Sequence, residues 1–136
     1  MMDKLHCPEC GIEIDEHPAG RCLDAWVAIT IMNWKYAPKT DPKIKLWLYW
    51  RRPDGMLKYE PPEYSTDIAA AWEVVEKMQK PNWAWHIESF YADGELRWWV
   101  LFWGDDEEGN IFDDGKGDAK TISLAICRAA IKDKAG

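Results

Sequence analysis

The stretch ELRWWVLFW, Glu95–Trp103, decides the fold class because it predicts a strand with two apolar faces. Successive side chains of an extended chain point to opposite faces. The odd-numbered residues from 99 to 103 (Trp, Leu, Trp) therefore share one face, and the even-numbered residues from 98 to 102 (Trp, Val, Phe) share the other. A sheet with one wet face alternates apolar and polar residues, so this strand predicts a sheet that is covered on both faces.

The patterns on either side of this strand predict an α/β fold with three helices and about four strands. Helices are predicted at about 21–33 and 67–79, from apolar residues recurring every three or four positions, and at about 122–134, after the N-cap residue Thr121. Strands are predicted at Ile44–Arg51, Met56–Tyr59, Trp83–Tyr91 and Glu95–Trp103, and Asp93-Gly94 predicts a hairpin turn between the last two. Prolines and scattered lysines predict a loop before Ile44, and the acidic stretch 104–118 also predicts a loop.

These elements follow one another in the order α-ββ-α-ββ-α, which predicts a three-layer α/β/α sandwich around a mainly antiparallel sheet. The sandwich domain is expected to span residues 18–136, after a short N-terminal segment of residues 1–17. A chain of 136 residues is long enough for one hydrophobic core and too short for two. Most of the ten tryptophans are expected in that core.

Composition and charge limit where the protein acts. No apolar run reaches the length of a membrane span, and the N-terminus has no apolar signal-peptide core, so we expect a cytoplasmic protein with no membrane partner. The net charge of −7 is unevenly distributed. Residues 104–118 hold seven acidic residues against one lysine, whereas residues 34–59 hold seven basic residues against two acidic ones. The pI therefore does not exclude an anionic partner.

The N-terminal segment contains a zinc-knuckle sequence, Cys7-Pro8-Glu9-Cys10-Gly11. Two thiolates separated by two residues can hold one metal ion, and a structural zinc site needs four ligands. His17 and Cys22 are the nearest candidates to complete the set, which predicts one structural zinc. A metal shared between two subunits, a metal-free tail and a redox-active cysteine pair are the alternatives.

A site for a small anionic, nucleotide-type ligand is predicted from two features. Helix N-termini attract anions through their unpaired N–H groups. Aromatic residues interleaved with basic ones are typical of surfaces that stack bases and contact phosphates. The candidate ligand-binding residues are Arg21, Lys45, Trp47, Tyr49, Arg51, Tyr64, Ser65 and Thr66. The alternative interpretation is ordinary helix capping beside a core-facing strand.

The acidic stretch is a candidate surface for a basic host protein. Its predicted partner-binding residues are Asp105, Asp106, Glu107, Glu108, Asp113 and Asp114. The stretch does not follow the calcium-loop template, because that template requires oxygen ligands at fixed offsets and a glycine at the sixth position.

Three stretches resemble the phage ABA sandwich domain family, which consists of small proteins of phages and prophages. They are Pro18–Arg21 with Asp24 and Ala25, Tyr64–Met78, and Leu124–Ala130. The resemblance covers nearly all of residues 18–131. It implies the same three-layer sandwich and an origin in a phage or prophage, and it implies no catalytic residues.

We therefore expect a non-enzymatic binding protein in the cytoplasm of a host bacterium. The sharpest hypothesis is that it antagonises host antiviral defence by sequestering a nucleotide-type signal, as a homo-oligomer. The alternatives are an inhibitor that binds a host defence protein through residues 105–118, and a nucleic-acid-binding regulator that uses the zinc knuckle. No nucleophile, acid and base can be combined into a catalytic set from the sequence.

Overall fold

The computed structural model describes the backbone of residues 5–41, 44–54, 57–58, 61–78, 83–105 and 111–135. It describes the side chains of residues 5–35, 52–54, 61–78, 84–103 and 115–133. Over these residues the fold is mixed α+β, in the order α-βββ-α-βββ-α. The elements are α1 (Arg21–Thr30), β1 (Lys35–Asp41), β2 (Ile44–Arg51), β3 (Leu57–Lys58), α2 (Ile68–Met78), β4 (Trp83–Ala92), β5 (Glu95–Asp105), β6 (Ile111–Ala119) and α3 (Ile122–Ala135).

The strands form two antiparallel sheets of three strands each, ordered β1-β2-β3 and β4-β5-β6. The predicted hairpin between β4 and β5 is confirmed, with Ala92 paired to Glu95 across the turn. Asp93 and Gly94 have φ values of 52° and 80°. Two positive φ angles are required by the type I′ turn, whose twist matches that of antiparallel strands.

The expected count of about four strands and the order α-ββ-α-ββ-α are not confirmed, because two predicted loops contain strands. β1 includes Pro38 and lies at an edge of its sheet, where a residue without an N–H group is tolerated. β6 occupies residues 111–119 of the acidic stretch and is also an edge strand. Each segment hydrogen-bonds to one neighbouring strand only. An edge strand of this kind can form although its own sequence favours a strand only weakly.

The two glycines of β6 allow α3 to pack directly on the strand backbone. A Cβ atom built on Gly115 would lie 2.1 Å from the carbonyl oxygen of Ala129, and one on Gly117 would lie 2.2 Å from that of Ala125. Real Cβ atoms do not approach so closely. The spacing Gly-Lys-Gly therefore removes the side chains from the face that α3 covers.

α2 and α3 lie on the same face of the β4–β6 sheet. Gly115 and Gly117 pair with Phe102 and Val100 of β5, so α3 covers the face of these buried residues. On α2, Trp72 makes an edge-to-face contact with Trp85 of β4, with ring centroids 5.1 Å apart.

Helix cover on both sheet faces, which the sequence predicted, is not confirmed for the described residues. α3 packs against β5 and β6 and also contacts α1 and α2, so the helices stack on one another. The opposite face, which carries Trp99, Leu101 and Trp103, is partly exposed.

A buried hydrogen-bond network ties the start of α1 to the segment before α2. The hydroxyl of Ser65 donates to Oδ1 of Asp24 (2.6 Å), and the Ser65 backbone N–H donates to the same oxygen (2.7 Å). The Ser65 hydroxyl also accepts from the N–H of Gly20, the residue before α1 (2.9 Å). The Ser65 hydroxyl thus satisfies the N–H of Gly20 at the start of α1, and the Asp24 carboxylate satisfies the N–H of Ser65.

Gly115→Ala is expected to lower the free energy of unfolding by at least about 2 kcal/mol, because the new methyl group meets helix backbone that cannot rotate away. Gly94→Ala is the matched control. Its Cβ has open space and only the φ of 80° opposes it, which costs roughly 1 kcal/mol. Urea denaturation of both variants measures the difference. Equal losses would contradict close packing of α3 on β6.

Ser65→Ala is expected to destabilise the protein by about 2 kcal/mol, because the buried carboxylate of Asp24 loses one of its two donors and the Gly20 N–H loses its acceptor. Thr66→Ala, at the exposed neighbouring position, should cost less than about 0.5 kcal/mol. Thermal and urea denaturation measure both. A Ser65→Ala variant of full stability would show that the network contributes nothing to folding.

Candidate metal centre

The N-terminal segment forms a small knuckle that places two cysteines side by side. The Gly11 N–H donates to the carbonyl oxygen of Cys7, and the Cys7 N–H donates to that of Ile12, both at 2.9 Å. Gly11 has a φ of 76°, which glycine adopts without strain. An antiparallel bridge between residues 6 and 13 closes the turn. Cys7 and Ile14 are 3% and 2% exposed, so the knuckle is part of the core.

All four predicted metal ligands lie together. The three sulfurs of Cys7, Cys10 and Cys22 and a ring nitrogen of His17 lie within 4.8 Å of one another. Cys7 Sγ is 3.5 Å from Cys22 Sγ, and Cys10 Sγ is 3.3 Å from His17 Nε2. A tetrahedral zinc site separates two sulfurs by about 3.8 Å and a sulfur from a nitrogen by about 3.5 Å. The four residues could therefore hold one metal ion.

The hydrogen bonding of His17 prepares one ring nitrogen for a metal. Nδ1 lies 2.8 Å from the carbonyl oxygen of Pro18. A carbonyl oxygen only accepts, so Nδ1 is the donor and carries the proton. In the neutral imidazole, Nε2 then has a free lone pair directed toward Cys10. A fixed tautomer of this kind is typical of histidine metal ligands.

The crowding of the thiols opposes their joint ionisation in the absence of a metal ion. Burial and the neighbouring sulfurs of Cys7 and Cys10 raise the pKa of Cys22 to about 12. Burial opposes ionisation of Cys7 as well, but hydrogen bonds from the backbone of Cys10 and Glu9 bring its pKa down to about 7. Two thiolates this close repel each other unless a metal ion lies between them.

The cluster joins the N-terminal segment to two helices. Cys22 lies in the first turn of α1. The carbonyl oxygen of His17 accepts a hydrogen bond from Nη2 of Arg128 on α3 (3.0 Å), and Asp15 forms a salt bridge with Lys132 of the same helix. A metal bound here would therefore fix the segment against α1, while α3 holds its other side.

The predicted ligand-binding residues are only partly within the described side chains. Lys45, Trp47, Tyr49 and Arg51 lie on β2, but their side chains are outside the described residues. Arg21 and Thr66 are exposed, and their role stays a prediction.

Tyr64 and Ser65 are buried. The Ser65 hydroxyl is engaged with Asp24 and Gly20, so this geometry gives it a structural role.

Two of the predicted helix starts are capped by their own side chains. Oδ1 of Asp67 accepts from the N–H of Ala69 (3.0 Å), and the Thr121 hydroxyl accepts from that of Leu124 (3.3 Å). The Asp67 carboxylate would repel an anion at the start of α2. Capping is thus the observed use of these two helix ends.

Tyr64 lines a cavity of about 420 Å³ between α1, α2 and the turn after β2. Trp34 and Arg52 also line it, and Arg52 pairs with Asp54 at 3.0 Å. Burial raises the pKa of Tyr64 to about 12, so its hydroxyl stays protonated at neutral pH.

Half of the predicted acidic surface lies on strands. Asp105 ends β5, and Asp113 and Asp114 belong to β6. The side chains of these three residues are outside the described set, as are Asp106, Glu107 and Glu108 altogether. The predicted loop is therefore wrong for the described residues of the acidic stretch, which all lie on strands.

Sequence reasoning missed a cluster of cations at the edge of the β4–β6 sheet. Four of them, Arg97, Lys116, Arg128 and Lys132, line a second cavity, of about 350 Å³. Lys116 was assigned to an acidic loop. Arg128 lies in the predicted third helix, where it was assigned no binding role. The two-residue alternation Gly115-Lys116-Gly117-Asp118 was the available signal for a strand.

Comparison with known protein families settles the affiliation of the chain. The model of the phage ABA sandwich domain matches residues 25–131. The chain belongs to this family. The four candidate metal ligands precede the matched region.

No curated protein and no solved structure matches the chain. Among the described helices, none is long and apolar enough to cross a membrane.

The metal cluster is expected to bind one zinc ion per chain, and Cys10→Ser or Cys22→Ser should abolish stoichiometric binding by removing one of four ligands. Metal analysis of the purified protein measures the zinc content. Cys127→Ala is the matched control, because this buried cysteine lies on α3 outside the cluster and its variant should keep the metal. A Cys22→Ser variant with full zinc content would contradict the assignment.

Proposed function

We propose that this phage-associated protein is a non-enzymatic binding protein whose N-terminal segment is held by one structural zinc ion. The observation that carries the proposal is the closed set of three cysteines and one histidine. Four protein ligands complete a tetrahedral zinc site, whereas a catalytic zinc keeps one position for water or substrate. The metal would then serve folding. Because metal binding contributes directly to folding free energy, its removal should loosen the segment from α1.

The ligand of this protein is a small anionic molecule of nucleotide type. Two features support this class: membership of a phage family and the group of cationic side chains around the second cavity. A phage protein that sequesters a host signal needs affinity and sufficient copy number but no chemistry. Such a protein acts in the cytoplasm of the infected bacterium and reduces the free concentration of a defence signal.

Native mass spectrometry of the protein purified from bacterial cells tests the whole proposal. The expected spectrum contains one zinc per chain and, on a defined oligomer, a phosphate-containing passenger. Heat denaturation should release that passenger chemically unchanged, because a binding protein does not convert its ligand. A passenger recovered as a reaction product would contradict the non-enzymatic function.

The same preparation tests the role of the metal. Removal of zinc by a chelator should lower the melting temperature by at least about 10 °C, since each kcal/mol corresponds to roughly 3 °C in a chain of this size. Cys22→Ser should reproduce the loss and should not respond further to the chelator. An unchanged melting temperature after complete zinc removal would contradict a structural zinc.

A further inference from the structure

The second cavity lies where β5 and β6 meet α3 and the N-terminal segment. Its volume is about 350 Å³, within the range of small-molecule sites. Six charged side chains line it: Asp15, Arg97, Lys116, Asp118, Arg128 and Lys132. Four are cations and two are anions, so the lining has excess positive charge although the whole chain is acidic.

The two carboxylates compensate two of the four cations. Asp118 accepts a hydrogen bond from Nε of Arg97 (3.0 Å), and Asp15 pairs with Lys132. Both ion pairs are partly exposed. Water around the exposed carboxylates screens the charges and weakens the attraction within each pair.

The remaining two cations contact only neutral groups among the described residues. Lys116 places Nζ 5.2 Å from the ring centroid of Trp99. Arg128 donates from Nη1 to the carbonyl oxygen of Asp118 (2.7 Å) and from Nη2 to that of His17 (3.0 Å). Carbonyl oxygens and an aromatic ring favour a cation without neutralising it. Asp15 and Asp118 also attract Arg128 electrostatically, so the lining as a whole keeps an excess of two positive charges over its two carboxylates.

Burial makes the charge of Arg128 costly in the absence of an anion. The residue is 8% exposed, and its Nε is buried without a hydrogen-bond partner in the described part of the chain. An ionised group taken out of water loses hydration free energy, and a nearby opposite charge restores part of it. Guanidinium and ammonium groups that line one cavity suit phosphate oxygens in particular.

We infer that this cavity binds the phosphate groups of the small anionic ligand, with Lys116 and Arg128 as the principal cations. The inference rests on the proposed function and locates its binding site away from the residues that the sequence singled out. The side chain of Lys116 is exposed, so it can move to contact a bound phosphate. The guanidinium of Arg128 is fixed by hydrogen bonds to two carbonyl oxygens before any ligand binds. Asp15 competes with the ligand for Lys132.

The test uses the zinc-loaded full chain, inorganic pyrophosphate as the probe, and calorimetric titration at low salt. Lys116→Gln should weaken binding at least about 10-fold. Its matched control is Lys120→Gln, which removes the same charge from an exposed lysine that pairs with Glu95 outside the cavity (3.5 Å). That control should change affinity less than about twofold. Thermal denaturation of each variant establishes that it is folded.

A second pair of variants tests the opposite direction. Asp15→Asn frees Lys132 for the probe and should strengthen binding severalfold. Glu95→Gln changes the net charge equally at a position outside the cavity, and it should have little effect. Equal gains in the two variants would mean that general charge governs binding, which overturns the cavity as a specific site.

The remaining outcomes separate the cavity from the proposed function. No measurable pyrophosphate binding by the wild-type protein, or binding that Lys116→Gln leaves intact, overturns the cavity assignment. The proposed function is judged independently by the passenger seen in native mass spectrometry. A phosphate-containing passenger that survives Lys116→Gln would keep the function and place its site elsewhere.

Discussion

The N-terminal segment, the β4–β6 sheet and α3 meet at the buried guanidinium of Arg128. From its position on α3, this side chain reaches the carbonyl oxygen of Asp118 at the end of β6 and that of His17 beside the metal cluster. A guanidinium presents several N–H groups in a fixed plane, so it can bond two separate backbone segments at once. This bridge, together with the Asp15–Lys132 salt bridge and the burial of Cys7, holds the N-terminal segment against the sandwich domain.

The metal cluster and the cationic cavity are neighbours because they share the segment from Asp15 to His17. The side chain of His17 faces the thiols, and its carbonyl oxygen faces Arg128. Asp15 reaches Lys132 on the cavity side. A metal ion in the cluster and an anion in the cavity would thus act on opposite sides of the same few residues, although the candidate metal ligands lie outside the region that the family model covers.

The metal ligands could be predicted from sequence because they lie within 16 consecutive residues and follow a local spacing rule. The helices and the Asp93-Gly94 hairpin were equally accessible, since capping and turn chemistry depend on neighbouring residues. β1 and β6 were missed because their compositions contradict strand propensity: β1 contains Pro38 and two lysines, and β6 is rich in aspartate and glycine. As edge strands, they depend on the partner strand that pairs with them.

The cationic cavity could not be predicted in the same way. Its residues come from the N-terminal segment, β5, β6 and α3, and only the packing of α3 brings them together. The anion contacts predicted at the helix starts show the opposite case, in which a local sequence signal is present but the fold uses the side chain differently. Ser65 has a suitable hydroxyl and a suitable position in the sequence, yet the fold gives that hydroxyl to the carboxylate of Asp24.

The two glycines of β6 also fix the register of the strand. Side chains alternate between faces, so a slip of one residue would turn Lys116 toward the backbone of α3, where the structure has no room even for a methyl group. Such a slip would also move Lys116 away from Trp99. An insertion or deletion between Gly115 and the end of β6 would therefore disrupt the packing of α3 on the strand.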